Sequence, residues 1–204
     1  METSLNNKTT ISTNDKRKWW ETTSAILHIL AMAFMLSDHM WSTILPTQVW
    51  MTCIGRIAFP IFAFMLVEGY FHTRSFKKYL RMLIFALISE IPFNLMMGGV
   101  INPFDQNVMW TFLLALLGMK LLDKIKGKWR KVFDNQLAKA KNSKYVIITL
   151  ATLGYGALIA LVVGLFYVLG MITFVDYHGE GILMVFAFFI LRGRKWWNYI
   201  AQFI

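Results

Sequence analysis

Six apolar runs, each bounded by polar or turn residues, occupy most of this sequence. They span about Thr22 to Leu45, Val49 to Phe71, Tyr79 to Met97, Val108 to Leu122, Tyr145 to Val175, and a last run that opens at Asp176 to Gly181 and ends at Leu191. The hydrocarbon core of a bilayer is about 30 Å thick and takes about 20 helical residues to cross. Backbone groups in hydrocarbon must be satisfied within their own segment, so runs of this kind form helices. A soluble domain of this length could not hide so much apolar surface. Hydrophobic residues make up 57% and charged residues 16%, against about 25% charged in ordinary globular chains. The sequence predicts an all-α, polytopic transmembrane helix bundle of about six helices.

The net charge of +10 would suggest a nucleic-acid partner in a soluble chain. Here the basic residues sit in alternate gaps, where membrane topology and anionic lipid account for them. Lys8, Lys16, Arg17 and Lys18 precede the first run. Arg74, Lys77, Lys78 and Arg81 separate the second from the third. Lys120 to Lys144 separates the fourth from the fifth, and Arg192, Arg194 and Lys195 follow the sixth. The gaps after the first, third and fifth runs hold no Lys or Arg. The fifth run would be roughly 46 Å long as one helix, so it could be one tilted helix, a helix kinked near Gly164 or Gly170, or two short ones. One crossing puts all but Arg56 of the 21 Lys and Arg on the cytoplasmic side, with both termini. The organisation expected is a basic N-terminal tail over 1–20, polar and unstructured to Asn14, then a membrane domain over 21–192 with a basic cytoplasmic loop at 123–144. Residues 193–204 read either as an interfacial segment or as the start of a further crossing. Cys53 is the sole cysteine, which excludes an internal disulfide.

Charged side chains within hydrocarbon cost at least about 2.5–3.5 kcal/mol each on insertion scales, so each needs a reason. With this topology Asp38, His39, Arg56, Glu90, Asn107, Asp176, His178 and Glu180 can all lie at the outer level of the bundle. Arg56 with Asp38 or Glu90 could be an ion pair that fixes helix register. Asp176, His178 and Glu180 could be a solvated loop. Glu68 and His72 form a separate i,i+4 pair near the inner face, where Glu68 has basic neighbours.

One stretch carries more specific information. Asp38-His39 is followed by Gly55-Arg56-Ile57-Ala58-Phe59-Pro60-Ile61-Phe62-Ala63-Phe64-Met65-Leu66-Val67-Glu68-Gly69, by His72-Thr73-Arg74 and Tyr79-Leu80-Arg81, and by Ile84 to Asn94 with Ser89-Glu90-Ile91-Pro92 inside it. With Asn107-Val108 and the acidic Asp176-Tyr177 loop, this pattern resembles the TraX family over roughly Asp38 to Leu191. The loop Asp176-Tyr177-His178-Gly179-Glu180-Gly181 departs from it in being richer in ionisable groups. TraX proteins include the enzyme that acetylates the N-terminus of conjugative F-pilin. The Phe59-Pro60-x-Phe62-x-Phe64 segment is also similar to one in heparan-glucosaminide acetyltransferases, which carry acetyl from cytoplasmic acetyl-CoA to a sugar amine across a membrane.

The resemblance implies an acyltransferase of the cytoplasmic (inner) membrane, using acetyl-CoA and a peptide or glycan acceptor, with no resident metal. Acyl transfer needs a base for the incoming amine or hydroxyl, and donors for the developing oxyanion. His39 matches by position the outer-side histidine of the glucosaminide enzymes and is the candidate base, with Asp38 orienting it. Arg56 and Asn107 are candidate donors. Glu90, Asp176, His178 and Glu180 would surround the substrate. Arg74, Lys77, Lys78 and Arg81 would meet the phosphates of CoA. Two other functions use the same residues. An ion- or proton-coupled transporter would relay through Asp38, Arg56, Glu90 and Glu68, and a metal-dependent hydrolase would draw on His39, Asp176, His178 and Glu180.

Overall fold

A computed structural model of the chain describes residues 12–73, 75–99, 102, 104–139 and 144–193. They form α1 (Ser12–Thr43), α2 (Val49–Gly55), α3 (Ala58–His72), α4 (Lys77–Met97), α5 (Val108–Lys139), α6 (Lys144–Ile172) and α7 (His178–Ile190). Among the described residues no strand forms, and one isolated parallel bridge joins Gln106 to Val175. Among the described residues four stretches are long and apolar enough to cross a membrane: Ser24–Thr43, Val49–His72, Lys77–Met97 and Lys144–Ile172. The shorter α7 is also apolar. The protein is an all-α membrane bundle, as the apolar runs predict. Its internal packing divides it into two units, Met1–Met65 and Leu66–Ile204.

In the first unit α1 packs along α2. The second apolar run, expected as one unbroken helix, is interrupted at Arg56-Ile57. Pro60 is the cause. A helical proline has no N–H to donate, and its ring crowds the carbonyl four residues back, which here belongs to Arg56. The chain therefore closes α2 with the Arg56 N–H bonded to Thr52 O at 3.0 Å and restarts at Ala58.

In the second unit α5 is the central element, packed on α4, α6 and α7. Phe112, Leu113, Ala115, Leu116, Met119 and Leu122 of α5 are buried, as are Val162 and Phe166 of α6 and Ile182, Val185 and Phe186 of α7. Gly118 makes this approach possible, because any Cβ there would strike the Phe186 ring. The apolar part of α5, Val108–Leu122, is only about 22 Å long at 1.5 Å per residue. It lies among other helices, so it presents little surface to lipid.

The fifth apolar run, for which one crossing is expected, is a single helix, α6, unbroken at Gly164 and Gly170. Two expectations are corrected. The basic segment 123–144 is not a loop, because α5 continues through it to Lys139. Ile125, Trp129, Phe133 and Leu137 recur at four-residue spacing and are half-buried, and no proline interrupts the segment. Ser12–Asn14, expected as unstructured tail, begin α1. Residues 1–11 and 194–204, with the expectations for the two ends of the chain that fall on them, lie outside the described residues.

At 1.5 Å per residue α5 is about 48 Å long and α6 about 44 Å, against a core of about 30 Å. Lys124, Lys126, Lys128, Arg130 and Lys131 are all exposed. Placing these five cations in hydrocarbon would cost more than about 12 kcal/mol in total on insertion scales. The excess length therefore leaves the core at the Lys139–Lys144 end. Single cysteines at Gln48, Asn102 and Glu180, in a Cys53→Ser background, should react with an impermeant thiol reagent from the outer side. Cysteines at Ser75 and Asn135 should react only after permeabilisation. Labelling of Asn135→Cys from outside in intact cells would refute this topology.

Candidate functional site

The polar side chains fall into three groups, one in the first unit and two in the second. In the first unit Asp38 lies where α1 crosses α2. Thr52, buried on α2, donates its hydroxyl to Asp38 Oδ1 at 2.7 Å. One residue earlier, Ser37 donates to Met51 O at 3.2 Å. The two backbones meet at Gly55, where a Cβ would collide with Asp38 Cβ and stand 2.8 Å from Asp38 N. Only glycine allows this contact. Among the described residues the ion pair of Asp38 with Arg56, one of the pairings open to Arg56, is not formed. A hydroxyl satisfies the carboxylate instead, and Arg56 is exposed at the α2–α3 break.

Asp38 and His39 are adjacent on a helix, so their side chains diverge by about 100°. With Asp38 turned to Thr52, His39 points elsewhere, and it is half-buried. Its carbonyl accepts from Ser42 at 3.0 Å and Thr43 at 2.6 Å. Among the described residues its imidazole takes no hydrogen bond, which leaves both ring nitrogens available to a ligand.

The second group joins α4, α5 and the loops at one end of the second unit. Glu90 is surrounded by neutral donors. Asn94 Nδ2 reaches its Oε1 at 2.9 Å, Trp110 Nε1 reaches its Oε2 at 3.0 Å, and Asn107 gives that same oxygen both its backbone N–H at 3.3 Å and its side-chain amide. The Asn107 amide also donates to Ala86 O at 3.0 Å, and its Oδ1 accepts from Met109 N at 2.9 Å, capping α5. Asn107 is thus committed to holding α4 to the start of α5, with no amide N–H left for an oxyanion. The network runs on through Gln106, whose carbonyl accepts from Asp176 N at 3.0 Å while its own N–H donates to Phe174 O at 3.1 Å. Thr111 donates to the Asp176 carbonyl, and the Asp176 carboxylate accepts from Tyr177 N at 2.9 Å. Phe174, Tyr177 and His178 are non-glycine residues with φ of 54°, 60° and 45°. This left-handed region is sparsely populated by such residues and persists only where surrounding contacts enforce it. His178 and Glu180 are exposed at the start of α7, and Tyr167 donates to Glu180 at 3.2 Å.

The third group lies at the opposite end of the second unit. Arg192 forms a two-point bond to Glu68, at 2.7 and 3.1 Å, and its guanidinium sits 4.2 Å from the Phe71 ring centre. Glu68 therefore takes a basic partner, as expected, and His72 bonds the Glu68 carbonyl at 2.8 Å rather than its carboxylate. Lys78 donates to the carbonyls of Tyr70 and Thr73, at 3.1 and 2.8 Å, which satisfies the end of α3. Its charge lies 3.7 Å above the Tyr70 ring, and the Tyr70 hydroxyl donates to Asp123 at 2.8 Å. Lys78 is thus occupied, whereas Lys77 and Arg81 are exposed. Arg74 lies outside the described residues. Lys120, held over the Phe76 and Tyr79 rings at 5.2 and 4.9 Å, extends this cationic end. Among the described residues no group of three or more His, Cys, Asp or Glu stands close enough to hold a metal ion.

Sequence reasoning missed Thr52, Trp110, Asp123 and Lys120. Thr52 could have been found, because it lies three residues before the Gly55-Arg56 of the quoted motif.

A multi-pass helical membrane protein whose polar groups gather at the two ends of its helices is the class these features define. The TraX protein family matches residues 23–204, and the chain belongs to that family. It is similar to the "Probable fimbrial assembly protein FimC, serogroup H1" of Dichelobacter nodosus, 33% identical over an alignment of 108 residues. That alignment covers 47% of this chain and 44% of the relative, so the chain spans less than half of the relative's length. No solved structure matches.

Replacing Glu90 with Ala would leave the Asn107 and Trp110 donors without their acceptor. Leaving a buried donor unsatisfied costs about 1–3 kcal/mol. We expect Glu90→Ala to destabilise the detergent-solubilised protein by at least about 3 kcal/mol, with Glu90→Gln intermediate, since it keeps one acceptor oxygen. Denaturant unfolding followed by tryptophan emission measures this, and a wild-type midpoint for Glu90→Ala would contradict it.

Proposed function

We propose that this protein is an acyltransferase of the cytoplasmic membrane. It moves acetyl from cytoplasmic acetyl-CoA to an amine or hydroxyl acceptor on the outer side. Membership of the TraX family supports the reaction class, and the name of the FimC relative favours a pilus or fimbrial subunit as acceptor. The observation that carries the proposal is the free imidazole of half-buried His39, one residue from a carboxylate that Thr52 and Gly55 hold in place.

In this mechanism the neutral imidazole takes a proton from the acceptor as its nitrogen or oxygen attacks the thioester carbonyl carbon. A tetrahedral oxyanion forms and collapses, the carbon–sulfur bond breaks, and CoA leaves as thiolate, which the imidazolium can reprotonate. Arg56, exposed at the helix break, is the candidate donor to the oxyanion. Asp38 and Thr52 are positioning residues, since they fix the turn of α1 that carries His39. Lys77, Arg81 and Lys120 supply the cationic surface for the phosphates of the donor.

Single-turnover transfer in proteoliposomes, with labelled acetyl-CoA inside and a peptide bearing a free N-terminus outside, tests the proposal. His39→Ala should lower the rate by at least about 100-fold, the range for loss of a positioned general base, while donor binding stays intact. Thr52→Val should lower the rate and Thr52→Ser restore it. A folded His39→Ala protein with wild-type turnover would overturn the assignment. In the same samples Lys77→Gln with Arg81→Gln should weaken acetyl-CoA binding far more than Lys126→Gln with Arg130→Gln, and added salt should narrow the gap. Equal losses from the two pairs would reduce the donor site to a diffuse charge effect.

A further inference from the structure

Helices α5 and α6 run antiparallel, and their far halves stay paired beyond the apolar part of α5. The Trp129 ring packs against Gly154 and stands 6.0 Å from the Tyr155 ring. Along this stretch the two helices differ sharply in chemistry. Lys124, Lys126, Lys128, Arg130 and Lys131 of α5 are exposed, and none has an ion-pair partner among the described residues. Beside them α6 exposes Tyr145, Val146, Leu150 and Leu153, at 88%, 60%, 65% and 66% of their surface. An arm projecting into water would solvate the cations but leave the Val146, Leu150 and Leu153 side chains wet. An arm sunk in hydrocarbon would do the reverse.

We propose that the hairpin formed by Lys124–Lys139 of α5 and the first part of α6, Lys144–Leu153, is a binding surface for anionic phospholipid. It lies at the inner boundary of the bilayer. The α6 aliphatics enter the outermost acyl region, and the five α5 cations take the phosphate groups of the lipid. The occupant is the bilayer because both helices continue directly into the membrane-spanning part of the protein, which places the surface at headgroup depth. The chemistry is that of basic amphipathic elements, whose apolar side is buried at the acyl boundary while Lys and Arg face anionic headgroups. Trp129, clasped between the helices, holds the two faces in one rigid element.

The test uses the full chain in nanodiscs of phosphatidylcholine alone, or with one third phosphatidylglycerol. An environment-sensitive fluorophore is attached at Leu150→Cys in a Cys53→Ser background, and quenching by lipids brominated near the headgroup is read. Quenching at least about twofold stronger in the phosphatidylglycerol discs is expected. Two changes should remove that difference: neutralising Lys124, Lys126, Lys128, Arg130 and Lys131 to Gln, and raising the salt, which shortens the Debye length to about 3 Å at 1 M. Inorganic phosphate at millimolar concentration should leave it unchanged. Equal quenching in both discs would show no preference for anionic lipid and would overturn the proposal. Water-like emission at Leu150 with no quenching would overturn it too, by showing an arm that stands in the cytoplasm. Loss of the difference on adding phosphate would assign the cations to a soluble anion instead.

Discussion

Glu90 sits on a membrane-spanning helix, and among the described residues its hydrogen-bond partners are neutral donors rather than a cation. A carboxylate in such a place must be satisfied by groups the protein supplies, because lipid offers none. Asn94, Asn107 and Trp110 do this from two helices, so the requirement of one side chain fixes how α4 meets α5. Asn107 then caps α5, and Gln106 beside it pins the loop that leads to α7. Removing the acid would leave inward-facing donors on α5 and unfasten the loop they support. The way α4, α5 and the loop before α7 meet thus follows from the need to hydrogen-bond one acidic side chain.

The same constraint acts differently at the opposite end. There Arg192 meets Glu68 in a paired geometry, and Lys78 covers the last carbonyls of α3 while stacking on Tyr70. Cations are usable at this level because their long stems can rest on aromatic rings while their heads reach polar groups or water. One end of the second unit is therefore built from amides and carboxylates, the other from cations and rings. This segregation is the three-dimensional counterpart of the basic and non-basic gaps in the sequence.

Much of the fold was legible because hydrocarbon thickness and charge alternation leave few choices. The helical stretches Val49–His72 and Lys77–Met97 begin and end within two residues of their apolar runs. Legibility failed where a physical effect is not periodic. The break at Arg56-Ile57 depends on Pro60 acting four residues back, which an apolar run conceals. The continuation of α5 to Lys139 was hidden by its charges, which mark where lipid ends and not where helix ends. In the site, Asp38 and Glu90 were identifiable as residues needing partners, but the partners were not. Ion pairing with Arg56 was the natural guess from sequence, yet Thr52 and Asn107 satisfy these acids. Neutral hydrogen bonds leave no charge pattern, and hydroxyl and amide side chains are too common in helices to stand out.

Thr52 also explains why His39 is the residue left free. Two neighbours on one helix cannot face the same partner, so whatever holds Asp38 determines the direction in which His39 points. The hydroxyl at 2.7 Å and the close approach at Gly55 together settle the rotation and the depth of α1 at this level. An ion pair to Arg56 would have been a weaker constraint, since a long flexible side chain can follow its partner through several rotamers. It would also have occupied the one cation that the first unit places within an apolar run. Satisfying Asp38 with a short hydroxyl leaves both an imidazole and a guanidinium without a partner among the described residues of the same unit, which acyl transfer would require of a base and an oxyanion donor.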